Sequence, residues 1–171
     1  IITSDKNIYD KAYQLHDHGR DKEGNILSWG RNSRMDNLQA AILNYHFKNY
    51  QKTIQRRRFV ASLYQKNLSD VVELTLPPSP KNNDDHFDVY QNYEITAEKR
   101  DELRVYLERN GIGTLIQWGG KAIHQWEKLG LNYRIPRVED FFCKCIMLPM
   151  NVFISEEDVN YICKVIKKFY S

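Results

Sequence analysis

Cysteine is scarce in this chain, with only three in 171 residues, an odd number. So few thiols exclude the disulfide framework of a small secreted domain and favour a reducing compartment. We therefore expect a cytoplasmic protein whose three thiols are buried or half-buried. Cys143 and Cys145 are separated by a single residue, which is not the spacing of a zinc site, so we expect no bound metal.

Long hydrophobic runs are absent, and neither sign of charge is in large excess. No apolar run approaches the roughly twenty residues that cross a bilayer, so we expect no membrane span. The 25 Lys and Arg against 22 Asp and Glu give a net charge of +3, too small to indicate binding to nucleic acid. The 42% of hydrophobic residues suffices for one core, and the 11 tyrosines suit an extensive contact surface with another domain or subunit.

Proline and glycine are also few, with 5 and 8 residues, and neither occurs in residues 36–69, which predicts one long linking helix. Its apolar stripe shifts part-way along, which indicates a bend or burial against two partners in turn. The other predicted elements are, in chain order, a helix over 5–17, a charged loop over 20–31, strands over 71–76 and 89–95 with a polar turn at 81–85 between them, a helix over 98–110, a strand over 114–118, a helix over 136–146 and a last helix capped by Ser155. This order is typical of an α/β (α+β) fold in which a small antiparallel or mixed sheet is covered by helices.

The most informative segment is 29–43, where a loop rich in hydrogen-bond donors leads directly into a helical stretch. Asn32 offers an amide, Arg34 a guanidinium and Asp36 a helix cap. A phosphate could therefore bind where these donors meet the first backbone N–H groups of the helix. The alternative is an ordinary capping box, in which Asp36 and Gln39 serve only the helix.

Short motifs follow one another along nearly the whole chain. They are Ile1-Ile-Thr-Ser-Asp5, His18-Gly19, the run from Gly30 to Ala41, the helix with Arg56, Arg57 and Arg58, Val89-Tyr-Gln-Asn-Tyr93, Asn110-Gly-Ile-Gly-Thr114, His124 ahead of Leu129-Gly130, and Met147-Leu-Pro-Met-Asn151. Each motif is weak by itself, but the ordered set is specific. It resembles the DegT/DnrJ/StrS-type sugar aminotransferases, which are pyridoxal-phosphate enzymes of the aspartate-aminotransferase fold.

The resemblance implies transfer of an amino group from an amino acid such as glutamate to a keto sugar nucleotide, in deoxysugar or surface polysaccharide biosynthesis. It also implies a homodimer with shared active sites, and a Schiff-base lysine upstream of the segment matched by 1–5, outside this chain. We therefore interpret the chain as the carboxy-terminal part of such an enzyme, inactive by itself. On this interpretation 1–35 is a remnant of the large cofactor-binding domain, 36–69 is the interdomain helix and 70–171 is the small domain.

The resemblance also implies roles for residues of the donor-rich loop. In the family, the motif asparagine donates to the cofactor phosphate across the dimer interface, from the subunit that does not carry the Schiff-base lysine. The resemblance assigns this role to Asn32. Arg34 either grips the same phosphate or pairs with Asp36. The charged loop supplies Lys22, with Arg20 and Arg31, as candidates to bind the diphosphate of the substrate, and a solvated loop without a ligand is the alternative.

Gln117, Trp118 and Gly119 stand where the commonest family pattern has His-Tyr-Pro. An amide for sugar hydroxyls and a ring for the sugar face are still present, and this variant resembles the branch that acts on deoxythymidine-diphosphate keto sugars. Which ring carbon is aminated stays open. His124 matches a histidine of the family and is assigned to substrate binding, with a purely structural role as the alternative.

Two further interpretations remain open. The chain could be a truncated, catalytically inactive paralogue that serves as a dimerisation or interaction module. A nucleic-acid binder centred on Arg56, Arg57 and Arg58 is weaker, because three consecutive helical residues span nearly a full turn rather than one face. We expect those arginines to be solvated or paired between domains. Lys121 is rejected as the Schiff-base lysine, because the sequence places nothing apolar around it and the family has that lysine elsewhere.

Because the expected Schiff-base lysine lies outside this chain, we predict that the 171-residue chain forms no specific covalent bond with pyridoxal phosphate. Borohydride reduction after incubation, followed by peptide mass spectrometry, measures this directly. A single lysine labelled stoichiometrically, with a matching imine absorbance band, would overturn the assignment.

Overall fold

The computed structural model describes residues 1–80, 87–131 and 133–171, and the polar turn predicted at 81–85 lies outside them. The chain divides into two compact units, Ile1–Asn49 and Tyr50–Ser171. Within the described residues no helix is long and apolar enough to cross a membrane.

The first unit contains two helices. Helix α1 spans Lys6–His16 and begins where predicted, because the Asp5 carboxylate accepts hydrogen bonds from the backbone N–H groups of Asn7 and Ile8 at 2.8 and 3.2 Å. Helix α2 spans Asn37–Phe47, and the side-chain oxygen of Gln39 accepts from the N–H of Asp36 at its start, which is one half of the predicted capping box. The Asp36 side chain makes no cap hydrogen bond, contrary to the prediction.

The prediction of one unbroken helix over 36–69 is wrong. Helix α2 ends at Phe47, and helix α3 begins at Tyr50 and runs to Leu68. The N–H of Asn49 bonds to the carbonyl of His46, three residues back, which tightens the last turn and ends the regular four-residue ladder. No residue of α2 is buried, whereas α3 buries five side chains, and the shift of the apolar stripe was the sequence sign of this change.

The second unit is built on a three-stranded antiparallel sheet of order β1-β2-β3, as the predicted fold class requires. The strands are β1 (Leu74–Thr75), β2 (Tyr93–Ala97) and β3 (Cys145–Leu148), and β2 pairs with β3 in the register Tyr93 to Leu148. Helices α4 (Arg100–Arg109), α5 (Pro136–Lys144) and α6 (Glu156–Tyr170) belong to the same unit, together with three short 3₁₀ turns at Gln117–Gly120, Ile123–Gln125 and Glu127–Leu129.

The core of this unit lies between the sheet and helices α3, α4 and α6. The rings of Tyr64 and Tyr93 stack at its centre with centroids 4.8 Å apart. Helix α6 buries its predicted stripe of Val159, Ile162, Cys163 and Ile166, and Phe169 is half-buried against the core. Its cap is confirmed as well, since the Ser155 hydroxyl accepts from the N–H of Asp158 at 3.0 Å.

Two elements near the end of the sheet differ from their predictions. The predicted strand 114–118 is wrong: only Leu115 bridges to Met147, and a 3₁₀ turn follows. The helix predicted over 136–146 ends at Lys144, because the next four residues form β3. All four residues of β3 are buried, so both faces of the strand carry apolar side chains. The sequence therefore lacks the alternation of apolar and polar residues that would have distinguished a strand from a helix here.

The cysteines only partly match their predicted burial. Cys143 is exposed, contrary to the prediction, because it lies on α5, a helix without a buried residue. Cys145 and Cys163 are buried, and burial raises the pKa of the Cys163 thiol to about 12. In the described part of the chain, no three His, Cys, Asp or Glu side chains are grouped as a metal site would require.

The arginine triplet of α3 is half-buried rather than fully solvated, and its partners lie in the same compact unit rather than in another domain, contrary to the prediction. All three guanidinium groups donate to backbone carbonyls of irregular segments within the same unit. Arg56 donates to Ile154, Arg57 to Tyr90 and Gln91, and Arg58 to Asp88 and Pro80. Their positions on nearly a full turn of helix allow them to hold segments that arrive from different directions.

Arg57 provides a test of this arrangement, since its Nη1 donates to two carbonyls at 3.1 and 2.7 Å. Replacement of Arg57 by Ala leaves both carbonyls without their charged donor, and we expect it to lower the free energy of unfolding by about 2 kcal/mol. Urea denaturation followed by circular dichroism measures the change. The exposed Arg104 is the matched control, and an equal effect of Arg104→Ala would contradict the proposed role.

Candidate functional site

The donor-rich loop of the first unit returns to the end of α1. The backbone N–H of Arg31 bonds to the carbonyl of Leu15 at 2.9 Å, and that of Ser33 bonds to the carbonyl of His16 at 2.8 Å. Asp17 and Asn32 therefore face each other as a bridge pair. These backbone contacts fix the position of Asn32 although its side chain is exposed.

Two glycines allow the loop to close. A Cβ atom at Gly19 would lie 1.7 Å from the carbonyl oxygen of Ser28, and one at Gly30 would lie 2.2 Å from the nitrogen of Gly19. Gly19 also has a φ of +77°, a conformation that residues with a side chain rarely adopt. The glycines of the His18-Gly19 and Gly30 motifs are thus required by the close approach of the backbone.

Asn32 and Arg34 form the centre of the candidate anion site. Arg34 donates from Nε to the amide oxygen of Asn32 at 3.0 Å, and the same nitrogen lies 3.9 Å from the Asp17 carboxylate. The ion pair with Asp36, one of the two predicted alternatives, is therefore replaced by contacts with Asn32 and Asp17. Because the amide oxygen of Asn32 is engaged, its NH2 group is the end that remains to bind an acceptor, and it has no partner among residues 1–80, 87–131 and 133–171.

Arg20 and Lys22 lie on the neighbouring loop, whose turn is held by Asp21. The two carboxylate oxygens of Asp21 accept from the backbone N–H and the side-chain amide of Asn25 at 2.8 and 3.0 Å. The side-chain contact with Asn25 is the main cause of the lowered pKa of Asp21. Arg20 and Lys22 line a surface cavity of about 440 Å³, and Asn32 is not among the described residues of its lining.

The second group of predicted residues lies in the second unit, at the 3₁₀ turn Gln117–Gly120. Trp118, Gly119 and Gly120 have φ angles of +54°, +64° and +71°, three left-handed residues in succession. A left-handed conformation costs a residue with a side chain roughly 1–2 kcal/mol, so the backbone at Trp118 is strained. Trp118 and His124 line one cavity, whereas Gln117 is not part of its lining.

His124 has a clear structural partner. It is 7% exposed, and its Nε2 lies 3.1 Å from a carboxylate oxygen of Glu139 on α5. The same oxygen accepts from the backbone N–H of Ile135 at 2.8 Å. The Ile135 N–H, followed by the His124 hydrogen bond, lowers the pKa of Glu139. Sequence reasoning missed Glu139, because the partners are 15 positions apart and no periodic signal connects them.

Lys121 has apolar surroundings, contrary to the prediction. Its Nζ lies 5.4 Å from the centroid of the Trp126 ring, and it lines the same cavity as Trp118 and His124. Trp126 was also missed, and only its closeness to Trp118 in the sequence could have indicated it. The rejection of Lys121 as the Schiff-base lysine therefore depends on the family pattern alone.

Comparison with known proteins agrees with the ordered motifs. The model of the DegT/DnrJ/EryC1/StrS aminotransferase family matches residues 1–167. The chain belongs to this family. It is therefore a family member whose fold places the motif Asn32 and the Trp118 turn in separate compact units.

Similar curated proteins include the pleiotropic regulatory protein of Geobacillus stearothermophilus, 32% identical over 99% of this chain and 46% of that protein. GDP-perosamine synthase of Escherichia coli O157:H7 is 32% identical over 100% of this chain and 47% of that enzyme. The dTDP-3-amino-3,6-dideoxy-alpha-D-galactopyranose transaminase of Aneurinibacillus thermoaerophilus is 26% identical over 99% of this chain and 46% of that enzyme. The chain spans about half the length of the curated relatives it matches.

Solved structures support the fold. A DegT DnrJ EryC1 StrS aminotransferase from Brucella abortus superimposes with a TM-score of 0.83 and 25% identity, over 99% of this chain and 45% of that one. DesV of S. venezuelae, in complex with a ketimine intermediate, superimposes with a TM-score of 0.86 at 23% identity, over 99% of this chain and 46% of that one. The family member therefore has the fold of the corresponding part of a pyridoxal-phosphate-type aminotransferase.

The His124 and Glu139 pair predicts a pH dependence of stability. Because the folded-state pKa of Glu139 lies below its ordinary 4.5, its ionised form stabilises the fold above the unfolded-state pKa. That contribution is lost as the pH falls through the folded-state pKa. We expect Glu139→Gln to flatten this part of the curve of unfolding free energy against pH, measured by urea denaturation from about pH 3 to 6.

Glu108 is the matched control, because it is an exposed helical carboxylate of the same unit. Glu108→Gln should leave the curve unchanged. A Glu139→Gln curve with the slope of the unsubstituted chain would show that the pair does not influence stability in this range.

Proposed function

We propose that the gene product in which this chain occurs is a pyridoxal-phosphate-dependent aminotransferase that moves an amino group from an amino acid such as glutamate to a keto sugar nucleotide. The observation that carries the proposal is the Asn32 and Arg34 pair within a family match over residues 1–167. Relatives named as a GDP-perosamine synthase and a dTDP-amino-sugar transaminase support the class of substrate.

The donors at Asn32 and Arg34 fit the phosphate of the cofactor. Phosphate oxygens accept hydrogen bonds, and the guanidinium of Arg34 occupies the amide oxygen of Asn32 and leaves its NH2 donors for such an acceptor. The Asp17 carboxylate is 3.9 Å from Arg34 Nε, which is beyond hydrogen-bond distance. It therefore partly offsets the positive charge of the guanidinium without forming a hydrogen bond to this nitrogen. Pyridoxal phosphate, when bound, supplies the electron sink that allows an amino group to be exchanged between an amino acid and a keto sugar.

The contribution of this chain is to bind the cofactor phosphate and to orient the group that binds it. Asn32 donates to a phosphate oxygen, and Arg34 keeps the amide in the orientation that makes this donation possible. We infer that the site is shared in a homodimer, with Asn32 reaching the cofactor of the other subunit. The exposed apolar side chains of α2, among them Leu38 and Ile42, support such a subunit contact, because water is a poor environment for them.

The substrate side of the proposal uses the remaining predicted residues. Lys22 is free to approach a diphosphate, since it is exposed on a loop whose turn is held by Asp21 and Asn25. Gln117 and Trp118 provide an amide and a ring at a strained turn for the nucleotide-linked substrate. His124, which Glu139 holds at 3.1 Å, contributes by keeping the wall of that region fixed.

We expect Asn32→Ala to raise the dissociation constant of pyridoxal phosphate by about tenfold or more in the gene product, because one charge-assisted hydrogen bond is lost. Arg34→Lys keeps the charge but removes the Nε donor, so the amide of Asn32 loses its orientation. If Arg34 acts through Asn32, the Asn32→Ala/Arg34→Lys double variant should bind no more weakly than Asn32→Ala alone. Titration of the cofactor absorbance measures all three constants.

Asn44, exposed on α2, is the matched control, and Asn44→Ala should leave the dissociation constant unchanged. Losses that add in the double variant would mean that Arg34 contacts the phosphate directly. An unchanged constant in Asn32→Ala would refute the cofactor role of this loop.

The second candidate function is a catalytically inactive interaction module. The exposed apolar residues of α2 favour it as much as they favour an enzyme dimer. One measurement separates the two: an enzyme incubated with glutamate and a keto sugar nucleotide releases the corresponding keto acid, and a module does not.

A further inference from the structure

The cavity beside His124 is the least explained feature of the second unit. Its volume is about 630 Å³, within the range of roughly 300–1,000 Å³ that small-molecule sites occupy. Its lining is almost wholly apolar and includes the rings of Trp118, Trp126 and Phe142. Lys121 and His124 are the two polar members among the described lining residues.

Trp118 gives an independent reason to expect a ligand. Its side chain is 70% exposed although it is the largest apolar residue type, and its backbone is left-handed with a φ of +54°. Neither exposure nor strain improves the stability of the fold. A strained backbone that presents an aromatic ring beside a cavity is typical of a residue held for binding.

The chemistry of the lining specifies the kind of ligand. Aromatic walls favour a flat ring, and Lys121 adds a positive charge that has no carboxylate partner in the described part of the chain. The Nε2 atom of His124 is already held by Glu139, so the lining offers few groups that could recognise the edge of one particular ring. The fitting ligand is a planar ring that carries an anionic group, bound by stacking rather than by edge recognition.

We propose that this cavity binds the base of the nucleotide-linked substrate, with the base stacked on Trp118 and Lys121 facing the attached phosphate. This inference rests on the proposed function, which supplies the nucleotide sugar. Stacking is tolerant of base identity because every base has a π-face. The cavity therefore binds the nucleotide part of the substrate with little selectivity between purine and pyrimidine bases. Residues outside the cavity determine the selectivity for the sugar.

The test is isothermal titration of the gene product with three ligands that carry no sugar substituent on the diphosphate: GDP, UDP and inorganic pyrophosphate. We expect GDP and UDP to bind with dissociation constants within about threefold of each other, and pyrophosphate at least about tenfold more weakly, since stacking contributes about that much. Trp118→Gly removes the ring and relieves the left-handed strain, so the fold is retained. It should weaken GDP and UDP about tenfold or more and leave pyrophosphate unchanged.

Further variants separate stacking from charge. Trp118→Phe retains a ring and should keep most of the affinity for GDP and UDP, whereas Lys121→Ala should weaken all three ligands. Phe153, 92% exposed and outside the cavity lining, is the matched control, and Phe153→Ala should change nothing. Equal affinity for pyrophosphate and the nucleoside diphosphates, or unchanged GDP and UDP binding in Trp118→Gly, would overturn the inference.

Failure of the inference and failure of the proposed function give different results. Amino transfer to a keto sugar nucleotide, together with unchanged GDP and UDP binding in Trp118→Gly, rejects only the base site. Trp118-dependent binding of GDP and UDP in a gene product without amino transfer rejects only the aminotransferase.

Discussion

The second unit depends on side chains that satisfy backbone carbonyls. Among its described residues the strands contain only two, five and four residues, so much of that backbone lies in turns and loops without a sheet partner. Unpaired buried carbonyls are costly, and long side chains with strong donors remove that cost. Arginines supply several of these donors, as with Arg57 on Tyr90 and Gln91. Tyrosine hydroxyls supply others, as with Tyr64 on Pro149 at 2.8 Å and Tyr90 on Pro78 at 2.6 Å.

This arrangement also changes the meaning of the composition. The 11 tyrosines suggested a contact surface, yet Tyr64, Tyr90 and Tyr93 are buried in the core, where burial raises the pKa of each hydroxyl. Others, such as Tyr45 on α2, are exposed. One residue type therefore serves two purposes, since it combines apolar area with a polar tip. The arginine triplet likewise has an internal role, because it binds the backbone of loops in the same unit rather than a polyanion such as nucleic acid.

The two candidate sites use opposite physical means. At Asn32, glycines permit a tight backbone crossing, and a guanidinium fixes one end of the amide so that the other end is free for an acceptor. At Trp118, successive left-handed residues present a ring beside an apolar cavity. Phosphate recognition requires directed donors, whereas a flat ring requires surface and little direction. Each of these two groups of residues belongs to one compact unit.

Local signals in the sequence determined much of this protein. The cap at Ser155, the buried stripe of α6 and the ordered motifs that identify the family depend on neighbouring residues, so the sequence alone predicts them. Only the tertiary structure decided the rest: that Cys145–Leu148 is a strand, that Glu139 holds His124, and that Arg56 reaches a carbonyl 98 residues away. The periodicity of a segment indicates which of its residues face the core and which face solvent. A contact between residues distant in the chain depends on how the elements pack, and this leaves no regular pattern in the sequence.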